Sequence, residues 1–505
     1  MKPLFVFVRP FRAAWPLTGP TTSCWPPLAF ASLAGALRES VPWLDVRILD
    51  AAVLRLGDSS VAAVLRQWQP AFLGIGEEAV HCADNLRLAR WGKTLGAAVI
   101  AGGCCFAFLA PEILATGLVD VVVHGEGEQT LVELVHAWHS DGLAGLDRVR
   151  GISFARNGQV IRTPPRPLLG DLDQLPWPAY DLLPVEHYGR SSRNHPAMAA
   201  IELGRGCHDS CDFCVLWRQM GHVVRGQSAP RLRVKSSQRL EEEIVRLARR
   251  FHRRYLGWVD PCFNAHPDIP ARLAERLLQR NLRLGQSAWI RSDHLLRDQA
   301  SGALDLCVRA GLNEVYIGIE RPDAKGLEQL NKHARPAQAR IALEILRRQY
   351  PSVFTVGSFI YGLAGDSPAT MRRIYEEALA LGLDLALFIP LNPLPGTRYW
   401  RADQWDGTGE ALRRLDFLPP PPSESARPEL ERELLRCFML HWSLDRLRIY
   451  WRGLAGGGAR KRRMFVRVLW RGTRFALQRA GWRGHRNKTD SRRKAAAAAA
   501  NAAPA

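Results

Sequence analysis

Cys207, Cys211 and Cys214 stand in the run Ile201-Glu-Leu-Gly-Arg-Gly-Cys-His-Asp-Ser-Cys-Asp-Phe-Cys214, a C-x3-C-x2-C spacing that supplies three thiolates and no fourth. A structural zinc site is closed by four ligands, and an ordinary electron-transfer iron–sulfur cubane also takes four cysteines. Three thiolates on one short loop hold three irons of a cubane and leave the remaining iron open. An open iron binds a substrate, so the loop reads as a catalytic centre. Two other readings compete with it. One is a zinc knuckle completed by His208 or His222; the other is three unrelated cysteines acting as small buried hydrophobes.

The flanking residues favour the cluster. Glu202 and Leu203 end an apolar run with the character of a strand, and Gly204 and Gly206 let the backbone turn tightly into the loop. Phe213 fills the place just before the last cysteine. This arrangement resembles the radical S-adenosylmethionine (SAM) superfamily, whose signature C-x3-C-x(aromatic)-C follows the first strand of a barrel. The resemblance implies a [4Fe–4S] cluster on Cys207, Cys211 and Cys214, with the amino and carboxylate groups of SAM on the open iron. One electron then cleaves the sulfonium and releases a 5′-deoxyadenosyl radical that abstracts hydrogen from unactivated carbon. The cofactor carries the hard chemistry, and the protein supplies position and dryness.

The resemblance extends down the chain. Asp260, in Val259-Asp-Pro-Cys-Phe263, occupies the place of an acidic residue near the SAM amino group, although relatives often carry two acids there. Arg291 closes the third strand, where similar enzymes keep an arginine. Glu320, in Ile317-Gly-Ile-Glu320, matches a fourth-strand G-x-E segment that approaches SAM, and Asn331-Lys332 follows as a similar Asn-Lys does in relatives. Gly362, in Phe359-Ile-Tyr-Gly-Leu-Ala-Gly-Asp366, looks like the fifth-strand glycine segment of the adenine pocket. Pro393-Leu-Pro-Gly-Thr397 matches the turn after the sixth strand. The resemblance thus implies SAM contacts at Phe213, Asp260, Arg291, Glu320 and Gly362. Glycines after strands are ordinarily plain turns; the order and spacing behind the cysteines are what count.

Elements able to position these residues are readable by periodicity. Over residues 1–150, strands at Leu4–Val8, Val46–Leu49, Phe72–Ile75, Ala97–Ala101 and Val119–His124 alternate with helices at Pro27–Glu39, Val61–Trp68, Ala83–Leu95, Pro111–Thr116 and Thr130–Ser140. Short apolar strands alternating with helices imply a doubly wound parallel sheet, which binds ligands at the carboxyl ends of its strands. Residues 151–194 read as a linker, with a hairpin signal at Asn157-Gly158 and the proline-rich run Asp173–Pro184. Over residues 195–400 the alternation resumes, with strands at Ala199–Leu203, Leu256–Val259, Gln286–Ile290, Glu314–Ile319, Val353–Ile360 and Leu385–Ile389. Six such strands suit a partial (β/α)6 TIM-like barrel with its site at the carboxyl ends, and the cysteine loop follows the first. Residues 401–494 form a helical basic region, amphipathic over Glu429–Leu454, and residues 495–505 are low in complexity and expected to be disordered. The fold class is therefore α/β: a doubly wound Rossmann-like domain, then the partial barrel, then a helical basic tail.

The first domain resembles the cobalamin-binding domains fused to class B radical SAM enzymes. The matching residues are Trp25-Pro-Pro-Leu-Ala-Phe30, Ile48-Leu-Asp50, Gly74-Ile-Gly76, Gly102-Gly103 and Gly125-Glu-Gly-Glu128. The resemblance implies corrinoid contacts at Gly76, Gly102, Gly103, Gly125 and Glu126, where small residues at strand ends let the backbone approach a bulky ring. Related mutases carry a cobalt-ligating histidine in D-x-H-x-x-G after the first strand. Here the loop is Arg9-Pro-Phe-Arg-Ala-Ala-Trp15, with no histidine, as is often so in class B. Cys104 and Cys105 lie near in sequence and read as small buried residues.

Bulk properties agree. The chain has 505 residues, an apolar fraction of 47% and ten cysteines. The cysteines outside the triplet, at 24, 82, 104, 105, 262, 307 and 437, form no second C-x2-C, so no auxiliary cluster is expected, nor a disulfide scaffold. No secretory signal or transmembrane helix is expected, and free thiols fit the cytoplasm. The net charge of +20 concentrates at the end, with fourteen Lys/Arg against one Asp between Arg460 and Lys494. Over residues 460–483 aromatic and apolar residues fall on one helix side and arginines on the other. That suits peripheral contact with an anionic inner membrane surface. A helix packed on the barrel is an equal alternative, and nucleic acid ranks third because no recognition module accompanies the basic run.

The resulting expectation is a cytoplasmic, cobalamin-dependent class B radical SAM enzyme, similar to anaerobic magnesium-protoporphyrin IX monomethyl ester cyclases and to cobalamin-dependent radical SAM methylases. It would methylate or oxidatively cyclise a small, apolar substrate such as a tetrapyrrole or lipid. A reductase, flavodoxin or ferredoxin would supply its electrons. The alternatives are a methylthiotransferase-like radical SAM enzyme without corrinoid and a zinc-holding nucleic-acid-binding protein.

Overall fold

The computed structural model describes residues 2–11, 25–76, 81–189, 196–224, 227–410, 426–440 and 462. The first sheet is built from β1 (Leu4–Arg9), β2 (Asp45–Asp50), β3 (Phe72–Ile75), β4 (Ala98–Ala101), β5 (Val121–Val123), β6 (Ile152–Arg156) and β7 (Gln159–Arg162), in the order β2-β1-β3-β4-β5-β6-β7. β1 to β5 are parallel, and β6 and β7 add an antiparallel edge. Strands covered on both faces read as unbroken apolar runs, and β1 is buried at every residue. Helices Leu28–Ser40 and Glu128–Asp141 cover one face; helices Asp58–Trp68, Cys82–Thr94 and Ala110–Ala115 cover the other. The domain is doubly wound, as expected. The order 2-1-3-4-5 places its ligand crevice beyond the carboxyl ends of β1 and β3, where the winding reverses.

The second unit carries β8 (Met198–Ile201), β9 (Gly204–Cys207), β10 (His222–Val224), β11 (Gln227–Ala229), β12 (Arg231–Val234), β13 (Tyr255–Trp258), β14 (Gly285–Ile290), β15 (Leu312–Glu320), β16 (Phe354–Tyr361) and β17 (Leu385–Pro390). Six of these form a parallel sheet in chain order, β8-β13-β14-β15-β16-β17, with β8 and β17 as unjoined edges. This is the partial barrel the alternation predicts.

Three features differ from the sequence reading. The hairpin read as part of the linker, β6–β7, extends the first sheet, because Val121 to Val123 offer β6 a free ladder edge. The cysteines do not follow β8 directly: β9 intervenes and pairs antiparallel with β12. The linker beyond β7 packs on both units: Ala179 N–H donates to Ala31 O at 2.8 Å and the Tyr188 hydroxyl to Asp50 Oδ2 at 2.7 Å in the first, and Met198 N–H of β8 donates to Tyr188 O at 3.3 Å in the second. One core cluster runs through both sheets, from Phe5 and Phe7 to Leu256 and Ile317. Of the helix expected over 429–454, Ala426–Leu440 is helical, and 441–454 lie outside the described residues, as do 463–505. No helix among the described residues is long and apolar enough to cross a membrane.

Candidate functional site

Cys207 ends β9, Cys211 is buried, and Cys214 closes the loop with its N–H on Cys211 O at 3.1 Å. None of the three is bridged. Distant segments fix the loop backbone. Trp217 Nε1 donates to Cys211 O at 2.9 Å, Asn331 Nδ2 to Ser210 O at 3.0 Å, and Asp212 N–H to Leu330 O at 3.0 Å. Phe213 is half-buried against the cluster of Leu330, Ile360, Leu363 and Leu391, on which Tyr399 also packs. Burial pushes all three thiols up; Lys332 opposes this at Cys211, and Arg291 and Lys332 oppose it at Cys207. A metal must therefore displace their protons, and the two cations offset the negative charge that follows. Unbridged thiols in a pinned loop beside cations fit a cluster with several irons. Among the described residues no group of three or more His, Cys, Asp or Glu is gathered closely enough to hold a metal ion. Of the proposed zinc partners, His208 lies against the His294 ring with centroids 4.7 Å apart, and the His222 side chain is outside the described set.

The strand ends around this loop hold most of the residues expected to meet SAM. Glu320 is buried at the end of β15, with φ +62°, after a register shift against β16. Such a bulge re-aims a side chain. Glu320 Oε1 lies 3.5 Å from Lys332 Nζ, and Ser358 Oγ donates to Oε2 at 3.3 Å. A Cβ on Gly318 would stand 2.5 Å from Glu320 Oε1 and 3.2 Å from Lys332 Nζ, so the glycine of G-x-E makes room for this pair. Burial raises the Glu320 carboxyl, and Lys332 opposes it. Gly362 N–H and Leu363 N–H both donate to Asp366 Oδ2, at 2.8 and 2.9 Å, and Asp366 is held by Arg321 at 2.9 Å.

Two expected SAM contacts are engaged by the protein. Asp260, fully buried, accepts Leu203 N–H at 2.8 Å and Gly204 N–H at 2.7 Å, so it pins the turn between β8 and β9. Burial raises its carboxyl to about 7 against those two donors. Arg291 pairs with Asp293 at 2.9 and 3.0 Å and with Asp209, inside the cysteine loop. Burial would raise the Asp209 carboxyl, but His333 at 2.6 Å and Arg291 hold it down at about 2. Arg291 is thus a brace of the loop.

The expected corrinoid residues gather at the carboxyl ends of β3, β4 and β5. Gly76 has φ +143°, and a Cβ there would stand 2.2 Å from Gly102 O, so the two turns touch backbone to backbone. Asn85 Nδ2 holds Gly76 O at 3.0 Å. Gly103 and Gly125 have φ +87° and +69°, and a Cβ on Gly125 would meet nothing within 4 Å. A floor without side chains beside open room fits a bulky planar cofactor. Glu126 is placed differently. Its carboxylate faces Arg233 at 2.8 Å, Arg205 at 3.1 Å and Leu169 N–H at 2.9 Å, which directs it to the barrel. Arg9 ends β1 with Nη1 on Trp25 O at 2.8 Å; residues 12–15 of that loop are outside the described set. Cys82 and Cys105 are buried in the first-domain core and Cys104 is half-buried.

Periodicity missed several residues. Arg205, Arg233, Lys235, Glu128, Glu202 and Glu243 form a buried ion array between the two units. Cys262 is buried just after β13, its thiol pushed up to about 12 by burial and by the Cys207 sulfur, with its Sγ 3.4 Å from Asn264 Oδ1 and 3.8 Å from His294 Nδ1. The only sequence signal for the array is an unusual density of charge in two short strands, Gly-Arg-Gly-Cys and Arg-Leu-Arg-Val.

Residues 201–378 match the radical SAM superfamily and residues 15–135 match the B12 binding domain. An uncharacterised methyltransferase of Pyrococcus horikoshii is 30% identical over 379 residues, covering 74% of this chain and 78% of the relative. The anaerobic magnesium-protoporphyrin IX monomethyl ester cyclase of Rubrivivax gelatinosus is 26% identical, covering 78% of this chain and 68% of the relative. Among solved structures, the radical SAM methyltransferase TsrM from Kitasatospora setae, determined with cobalamin and a [4Fe–4S] cluster bound, is similar in fold. Its TM-score is 0.60 at 17% identity, covering 79% of this chain and 77% of that one.

Proposed function

We infer the function from one premise: the chain belongs to the radical SAM proteins that carry a B12-binding domain, and is an enzyme of that type with SAM, a [4Fe–4S] cluster and cobalamin as cofactors. Together these cofactors supply an adenosyl radical able to take hydrogen from carbon, and a corrinoid methyl carrier. In our reading Cys207, Cys211 and Cys214 hold the cluster, while Asn331, Arg291 and Asp260 keep their loop in place. Phe213, Glu320 and Gly362 border the SAM pocket. Gly76, Gly102, Gly103 and Gly125 floor the corrinoid.

The substrate we propose is apolar, and the reaction is methylation or oxidative cyclisation at a C–H bond of a tetrapyrrole or lipid. The inner wall of the barrel carries this reading. Strand alternation sets Trp289, Tyr316, Leu385, Leu387 and Ile389 on the face opposite the helix-packed core. Trp289 and Tyr316 rings lie 4.9 Å apart, and Tyr316, Leu385 and Leu387 pack together with Phe354 and Val356. At the carboxyl ends of β13 and β17 the wall carries large apolar side chains open to solvent, Val259 at 41% and Ile389 at 38%. Apolar surface left open in a concave wall marks a ligand site. The cyclase relative acts on a tetrapyrrole ester, which suits such a wall.

We place the enzyme in the cytoplasm, served by a reductase, flavodoxin or ferredoxin, with residues 460–483 touching an anionic membrane from which an apolar substrate is drawn. The test is oxygen-free reconstitution with iron, sulfide and cobalamin, followed by SAM, a strong reductant and either a porphyrin ester or a polycyclic lipid. Deoxyadenosine together with a methylated or cyclised product supports the reading. An iron-free protein, or one making no deoxyadenosine with any reductant, overturns it.

A further inference from the structure

Arg205 sits on β9, two residues before Cys207, and is 9% exposed. Its guanidinium spends all of its N–H donors on three carboxylates. Nη1 donates to Glu126 Oε1 at 3.1 Å and Glu128 Oε2 at 3.2 Å, Nη2 to Glu128 Oε1 at 2.7 Å and Glu202 Oε1 at 3.0 Å, and Nε to Glu202 Oε1 at 3.1 Å. Glu126 and Glu128 belong to the first unit, Glu126 in the loop after β5 and Glu128 as the first residue of the helix Glu128–Asp141; Glu202 belongs to the barrel. The paired strand β12 repeats the contact. Arg233, directly opposite Arg205, bridges both Glu126 oxygens at 2.8 and 2.9 Å and Leu169 O at 2.9 Å. Lys235, 3.0 Å from Glu243, continues the array into the helix Ser237–Arg249.

An array this buried is a poor source of net stability, because desolvating so many charges offsets their attraction. Its strength is geometric: planar, fork-shaped contacts fix distance and angle together. We propose that Arg205 is a positioning residue that sets the cysteine strand against the corrinoid-side loop, and so holds the cluster and the corrinoid in a fixed relation. This rests on the cofactor assignment above. Arg205 touches neither cofactor in this account; it acts through β9 at one end and through Glu126 and Glu128 at the other. Methylation would need that relation, since a methyl group carried by the corrinoid would have to reach a carbon activated beside the cluster.

Arg205→Lys and Glu128→Gln, each in the full-length protein loaded with iron, sulfide and hydroxocobalamin, test the proposal. Lysine keeps the charge but is a single point donor, so it cannot serve three carboxylates at once. Three readouts are taken: bound iron and corrinoid, reductant-driven cleavage of SAM alone, and the paramagnetic broadening of the cob(II)alamin signal by the reduced cluster. The expected result is full loading, retained SAM cleavage and weakened broadening in both variants. Wild-type broadening in both overturns the proposal. So does loss of iron or corrinoid in both, which makes the array a scaffold. If Arg205→Lys alone loses its cluster, Glu128→Gln decides, being on the other unit. Wild-type protein that loads no cluster or corrinoid fails at the cofactor assignment instead, a result distinct from any outcome of the variants.

Discussion

At the residue scale, the loop of Cys207, Cys211 and Cys214 is held by side chains from far along the chain, Trp217, Asn331 and Arg291 among them. Asp209 lies inside the motif, yet its partners are Arg291, just after β14, and His333, in the turn before the helix Pro336–Gln349. Cys262 gave no signal, since a lone cysteine after a strand reads as packing. It tests the ligand assignment directly. Serine at 207, 211 or 214 should abolish the iron–sulfur absorbance of anaerobically reconstituted protein, whereas Cys262→Ser should retain it; equal loss in all four would mean that a cysteine from the loop after β13 shares the ligation. Asp260 supports a second prediction. Its folded carboxyl titrates at about 7, against about 3.9 in an unfolded chain. The folded state therefore holds the proton more tightly, and the stability this contributes is complete below pH ~4 and lost as pH rises through 7, by about 4 kcal/mol at most. Thermal unfolding of the apoprotein should fall between pH 5 and 8 in wild type, and Asp260→Asn should flatten that slope. An unchanged slope in the variant would move the titration to another group. The cysteine triplet was legible because spacing alone limits what three sulfurs on one loop can hold. The supporting side chains were not legible, because their roles depend on partners far along the chain.

At the element scale, the six barrel strands and the five parallel strands of the first sheet were readable because each carries a short apolar run between turn or helix signals; β1 and β8 are buried at every residue, whereas β2 and β17 are partly open. β9 and β12 obey no such rule. They are short and rich in glycine and arginine, and they are held by ions across domains as much as by their ladder. The hairpin β6–β7 was visible as a hairpin, but its sheet was not, because edge pairing is a choice made in space. The turns after β3 and β4 make the clearest elemental prediction. Gly76→Ala would force a Cβ to within 2.2 Å of Gly102 O at φ +143°, a backbone clash that no rotamer relieves. We expect a loss of about 1–3 kcal/mol and weakened retention of hydroxocobalamin on gel filtration. Gly125→Ala has open space around its Cβ and a φ of +69°, so its cost should be the smaller, about 1–2 kcal/mol of left-handed strain. Corrinoid retention unchanged in Gly76→Ala would remove the paired turns from the cofactor floor.

At the scale of the whole molecule, two units that periodicity separates are joined in space by a single core. Inter-domain interfaces within a chain are ordinarily small and polar, and the domains then move and melt apart. Here the contacts are apolar and deep. A Cβ on Gly257 in β13 would stand 2.2 Å from the ring of Trp25 and 2.4 Å from Met198 Cε, so a tryptophan from the first unit occupies space that β13 leaves by having a glycine. A Cβ on Gly396, in the turn after β17, would strike the Phe108 ring at 2.5 Å, and Leu394, Trp400 and Trp405 pack against the first-domain core. With the ion array at Arg205, these seams hold the carboxyl ends of both sheets in one relation. The chain should therefore unfold in one cooperative step, with calorimetry, far-ultraviolet and near-ultraviolet circular dichroism coinciding at the same midpoint. Gly257→Ala overfills the Trp25 seam and should cost about 1–3 kcal/mol. Because the seam belongs to both units, the variant should lower the single midpoint without dividing it. Two transitions in the wild-type protein, or a variant in which only half of the signal moves, would show that the units are independent and that their relation must be set by the cofactors.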